Sequence, residues 1–90
     1  MLVRRHYIFE GRVQGVGFRI TAYQKAQSLK LTGWIRNMSN GNVEACFQGE
    51  ESQIQSLITY MQSIRYICIT HIEYQNLEVL ANEKTFQMKY

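Results

Sequence analysis

Gly11-Arg12-Val13-Gln14-Gly15-Val16-Gly17-Phe18-Arg19 is the stretch on which the fold turns. Upstream, His6 to Val13 is rich in β-branched and aromatic side chains (Tyr7, Ile8, Phe9, Val13), the composition of a strand. Downstream, Phe18, Ala22, Ala26 and Leu29 recur at helical spacing, one face of a helix that reaches about Lys30 with Tyr23 on its flank. The run is therefore a strand-to-helix joint built on glycines. Glycine permits φ > 0 and close backbone approach, so consecutive N–H groups can turn toward one point. Such a nest binds anions, the more so where it opens a helix. Arg19, two residues after Gly17, adds a planar, permanently charged fork suited to phosphate.

The remaining elements follow from the same periodicities. Leu31 to Met38 and Asn42 to Gln48 flank Ser39-Asn40-Gly41, and Asn-Gly is the strongest short-range hairpin signal. Val43, Ala45 and Phe47 alternate with Glu44, Cys46 and Gln48, which predicts one buried and one wet face with Cys46 on the polar side. Ile54, Leu57, Ile58 and Met61 form the i, i+3, i+4, i+7 stripe of a second helix from about Ser52 to Ser63. Tyr66 to Gln75 alternates through Ile67 and Ile69, then changes parity at Ile72 and Tyr74, so a bulge is expected near Thr70-His71. Asn76 to Lys84 reads as a loop, and Phe86, Met88 and Tyr90 alternate as a short last strand.

This order, βαββαβ with a short extra strand, predicts an α+β, ferredoxin-like sandwich. Its sheet is antiparallel over four main strands plus the short terminal strand, with two helices on one face. No linker or repeat interrupts the pattern, so residues 1–90 read as a single domain. Topology alone assigns no activity.

Composition narrows the function classes. The chain is 46% hydrophobic and 19% charged, the balance of a folded protein. No apolar run approaches the roughly 20 residues of a membrane span. Met1 to His6 carries no apolar leader, so a cytoplasmic location away from membranes is expected. Cys46 and Cys68 fit neither a disulfide framework nor a zinc site and read as reduced structural thiols. The chain has no aspartate, which excludes Asp-based metal loops and triads. A net charge of +3 lacks the dense basic stripe of a nucleic-acid binder; the nearest candidate is Arg4-Arg5. His6 and His71 read as surface or strand-end residues, and Arg12 and Arg36 as solvated strand residues that raise the local positive potential.

A second signal converges on the glycine run. Gly33-Trp34-Ile35-Arg36-Asn37 falls on the strand after the first helix. In a split βαβ sheet that strand lies near the loop between first strand and first helix, so Asn37 can face the glycines. Its amide offers a donor and an acceptor, suited to holding a water in line with a phosphorus. The segment Gly11 to Arg19 resembles the acylphosphatase signature. Gly33 to Asn37 with Gly41-Asn42-Val43-Glu44 resembles that family's second signature. The element order and the closing Phe86-Gln87-Met88-Lys89-Tyr90 extend the resemblance over nearly the whole chain. Asn40 stands where the family usually has aspartate, and Gln62 to Tyr66 lacks the proline or glycine common after the second helix.

The resemblance implies hydrolysis of the carboxyl–phosphate bond of an acyl phosphate to carboxylate and inorganic phosphate. The implied enzyme is a monomer with no cofactor, no metal and no nucleic-acid partner; its partners are the small-molecule substrate and the phosphate product. By matching positions, Arg19 would bind the phosphoryl group, with backbone N–H groups of Gln14, Gly15, Val16, Gly17 and Phe18 completing the cradle. Asn37 would orient the attacking water. Phosphoryl transfer asks mainly for positioning and charge stabilisation, so these roles are physically sufficient for a good leaving group. The acyl portion would meet few side chains identifiable from sequence. The competing reading is a non-catalytic anion-sensing or RNA-binding module of the same topology, but Gly41 to Phe47 lacks the aromatic pattern of an RNA-binding sheet.

Overall fold

Side chains alternate across a strand, and in this chain both faces of the central strands are put to use. The computed structural model describes residues 1–90. In chain order the elements are β1 (Leu2–Arg12), α1 (Phe18–Ser28), β2 (Thr32–Asn37), β3 (Val43–Glu50), α2 (Glu51–Gln62), β4 (Cys68–Leu77) and β5 (Phe86–Met88). They form one five-stranded sheet in the order β4-β1-β3-β2-β5. The four main strands pair antiparallel, β1 with β3 and β4, and β3 with β2. The short β5 joins the far edge parallel to β2, which makes the sheet mixed.

The stripes seen at helical and strand spacing meet in one core. Tyr7 and Phe9 of β1, Ile35 of β2 and Ala45 and Phe47 of β3 pack against Phe18, Ala22 and Ala26 of α1 and Ile54, Leu57 and Met61 of α2. The parity change in β4 is a bulge. Glu10 faces His71 while Gly11 faces Ile69, so Thr70 is the extra residue. Ile69 and Ile72, of opposite parity, thereby both reach the core.

β1 begins at Leu2 rather than His6, and two arginines conceal the difference. Arg4 and Arg5 are only 7% and 8% exposed. Arg5, on the helix side, donates to the Glu51 carboxylate and, at 3.0 Å, to Asn76 Oδ1. Arg4, on the other side, lies 2.6 Å from Glu83 Oε1, which also accepts from Thr32 Oγ1 at 2.8 Å. The chain after β4 is thus no free loop. Leu80 bonds the Gln48 amide twice, N–H to Oε1 at 2.8 Å and Nε2 to its carbonyl at 2.9 Å. This segment covers the sheet at Gln48, one of the positions expected to be wet. Cys46 is 1% exposed, and burial pushes its thiol pKa up. Cys68, also a free thiol, is exposed.

Further along the same face Glu44 takes two side-chain partners, with His6 Nε2 and Arg36 Nε each 2.6 Å from one of its oxygens. Burial pushes the Glu44 carboxyl up, but hydrogen bonds from His6 and Arg36 outweigh it and hold the group below its ordinary value. A carboxyl depressed in the folded state contributes stability above its unfolded pKa and loses it as pH falls through the folded one. Glu44→Gln is therefore expected to lower the urea midpoint at pH 7, with the gap to the parent narrowing below roughly pH 4.5. A gap unchanged down to acid pH would contradict the pairing.

Candidate active site

Five residues, Val13 to Gly17, carry the chain from β1 to α1. Gly15 (φ 73) and Gly17 (φ 78) are left-handed, the conformation that side chains other than glycine's resist. Gly17 is the N-cap of α1, no side chain caps that end, and no acidic residue occupies the first turn. None of the backbone N–H groups from Gln14 to Phe18 donates to a backbone carbonyl. Together with the positive end of α1 these donors remain available to an anion.

The loop is fixed from outside. Gln14 Nε2 donates to the carbonyls of Met38 and Asn42 at 2.7 and 2.8 Å, strapping it to the β2–β3 hairpin. That hairpin is closed by Met38 N–H to the Asn42 carbonyl at 2.8 Å. Asn40 Oδ1 accepts from Asn42 N–H at 3.0 Å, so asparagine closes the turn by the side-chain bond an aspartate would make.

Loop, helix and hairpin enclose a cleft of about 200 Å³ whose lining includes Gly15, Gly17, Phe18, Arg19 and Asn37. Arg19 sits in the first turn of α1, half-buried. Its Nη1 donates to the Lys89 carbonyl at 3.0 Å, and its guanidinium lies 5.0 Å from the centre of the Tyr90 ring. The residues after β5 thus hold it at the cleft. Asn37, the last residue of β2, is half-buried and also lines the cleft. Arg19 is the one charged side chain in the lining, which contains no carboxylate, imidazole or thiol.

Of the residues expected from sequence, the cleft gathers Gly15, Gly17, Phe18, Arg19 and Asn37, with the Phe18 ring buried in the core. The side chains of Gln14 and Val16 turn away from it, Gln14 to the hairpin and Val16 to the core, which leaves only their backbone N–H groups for an anion. Arg12 is exposed, and Arg36 is engaged with Glu44. Trp34 packs between His6 and the Lys89 ammonium, with ring centres 6.0 Å apart and Nζ 4.9 Å away. Val13, Ile20, Met88 and Tyr90 complete the wall and had no site signal. The alternation of Phe86, Met88 and Tyr90 put them on one face, but only the parallel pairing of β5 with β2 brings that face to Asn37. A wider groove of about 580 Å³ between α1 and α2 offers hydroxyls and Lys25, whose Nζ already lies 4.6 Å from the Tyr60 ring centre. Glu10, His71 and Glu73 cluster on the sheet face turned away from the helices.

The chain is similar to known proteins along nearly its whole length. The family model described as Acylphosphatase matches residues 5–88. An acylphosphatase of Picrophilus torridus is 46% identical over 84 residues, covering 93% of this chain and 99% of that one. An acylphosphatase of Clostridium beijerinckii is 40% identical over 90 residues, covering 99% of this chain and 100% of that one. The crystal structure of acylphosphatase from Bacillus subtilis superposes with a TM-score of 0.89 at 33% identity, each chain fully covered. No helix is long and apolar enough to cross a membrane. With the family model spanning nearly the whole chain and relatives matched end to end, this protein is an enzyme of the acylphosphatase family.

Proposed function

We propose that the cleft hydrolyses the carboxyl–phosphate bond of small acyl phosphates, with Arg19 and the loop N–H groups holding the phosphoryl group and Asn37 orienting the water. The observation that carries this reading is that a loop of unspent donors, one guanidinium and one side-chain amide line the same narrow cleft. The phosphoryl oxygens accept from the backbone N–H groups of Gln14 to Phe18 and from Arg19, which matches the negative charge spread over them in the transition state. The Asn37 side-chain carbonyl oxygen accepts a hydrogen bond from the water, aligning the water oxygen with phosphorus. The new P–O bond forms as the bond to the acyl oxygen breaks. The carboxylate leaves, and the water proton passes to the phosphate product or to solvent. A carboxylate is a good leaving group, so no strong base is required, and the cleft supplies none. Nor does its lining offer the carboxylate, imidazole or thiolate ligands that hold a metal.

Asn37→Ala removes the orienting acceptor and leaves the cradle intact. It is expected to lower kcat by roughly 30-fold, about 2 kcal/mol, while inhibition by inorganic phosphate stays at the parent level. A variant that turns over normally but binds phosphate poorly would move Asn37 from orientation to binding.

A further inference from the structure

One wall of the cleft is apolar in a way that a phosphoryl group does not require. Ile20 is 44% exposed and Tyr90 94% exposed, yet both line the cleft beside Arg19. Next to them lies a recess of about 430 Å³ between α1 and β5, lined by Tyr23, Phe86, Gln87, Met88 and Tyr90. Met88 and Tyr90 line both spaces, so the two adjoin. The recess has a fixed side. The Tyr23 ring meets the buried Phe86 at 6.2 Å, and its hydroxyl accepts from Gln27 Nε2 at 3.2 Å. No charged side chain lines it, and the adjacent Lys89 is turned to the other sheet face against Trp34.

If the cleft holds the phosphoryl group, the part of the substrate still to be accommodated is the acyl group. We infer that the recess of Tyr23, Met88 and Tyr90 seats that group and makes aryl and other apolar acyl phosphates the preferred substrate class. The inference rests on the hydrolase reading above and deepens it. A flat apolar acyl group gains contact with the aromatic wall, whereas a second carboxylate there would lose hydration without gaining a partner. These contacts are remote from the reacting bond and are made alike in ground and transition states, so they act on KM more than on kcat.

The test compares benzoyl phosphate with acetyl phosphate on the full chain. In Tyr23→Ser and in Met88→Ser the benzoyl-to-acetyl ratio of kcat/KM is expected to fall roughly tenfold, through KM for benzoyl phosphate. Inhibition by inorganic phosphate reports that the cradle is still folded in each. Tyr23→Phe, which keeps the ring, is expected to keep the parent ratio. The parent alone supplies a second measurement: phenylphosphonate should inhibit roughly tenfold more tightly than methylphosphonate. Equal inhibition by the two phosphonates, or a ratio unmoved in both serine variants, overturns the acyl seat while the hydrolase reading stands. An apolar rim that only dried the site would slow both substrates alike and gives this same overturning result. A parent that cleaves neither substrate overturns the hydrolase reading itself.

Discussion

Arg19→Ala is expected to lower kcat/KM for benzoyl phosphate by about 10²–10³-fold, on the order of 3–4 kcal/mol of transition-state stabilisation. Arg19 is the one charged side chain lining the cleft, so no neighbour can replace its fork. Charge-assisted contacts to phosphoryl oxygens are among the strong ones, and they strengthen as charge develops. The same substitution should barely alter folding. The only bond Arg19 makes within the chain is an exposed one to the Lys89 carbonyl, and its ring partner Tyr90 is almost fully exposed. Such contacts are worth about 1 kcal/mol or less. Steady-state kinetics beside thermal unfolding checks both halves. Turnover at the parent level in Arg19→Ala would remove Arg19 from the site. Arg19→Lys, a point charge without the planar fork, should recover part of the loss.

Gly33→Ala is expected to be the most damaging conservative change to stability. Gly33 lies in β2, between β3 and β5, with φ +130. An added Cβ would fall 1.8 Å from the Cys46 carbonyl oxygen and 2.8 Å from its carbon, so the β2–β3 ladder must shift. Backbone strain and a displaced ladder together cost about 3–4 kcal/mol, a large part of the total for a chain of this size. The melting temperature should drop by roughly 15–25 °C. The displacement would also reach Asn37 at the end of the same strand, so residual activity should fall further than the folded fraction does. At Gly41, by contrast, an added Cβ meets nothing within 4 Å, and only the strain of its φ remains. Equal melting temperatures for the Gly33 and Gly41 alanine variants would contradict this account.

What the sequence made legible is what short-range periodicity encodes. The Phe18, Ala22, Ala26 spacing and the Ile54, Leu57, Ile58, Met61 stripe became the buried faces of α1 and α2. The parity change between Ile69 and Ile72 became the bulge at Thr70. Motif spacing and strand order led to the expectation that Asn37 lies near the glycine loop, and Arg19 and Asn37 both line one cleft. Features set by long-range partners were not. Arg4 is buried because Glu83, 79 residues away, meets it, and Arg5 because Glu51 does. Gln48 looked solvated because nothing local announces that the chain around Leu80 folds back onto its amide. The strap from Gln14 to the hairpin, and the apolar wall of Tyr23, Met88 and Tyr90, likewise depend on residues brought together only by the sheet.

The most direct test of the central claim, that water held by Asn37 attacks phosphorus rather than the acyl carbon, is hydrolysis of benzoyl phosphate in ¹⁸O-enriched water. Mass spectrometry of the two products then locates the new bond. One labelled oxygen in the inorganic phosphate and none in the benzoate is the predicted result. Label in the benzoate would place the attack at the carbonyl carbon and contradict the account.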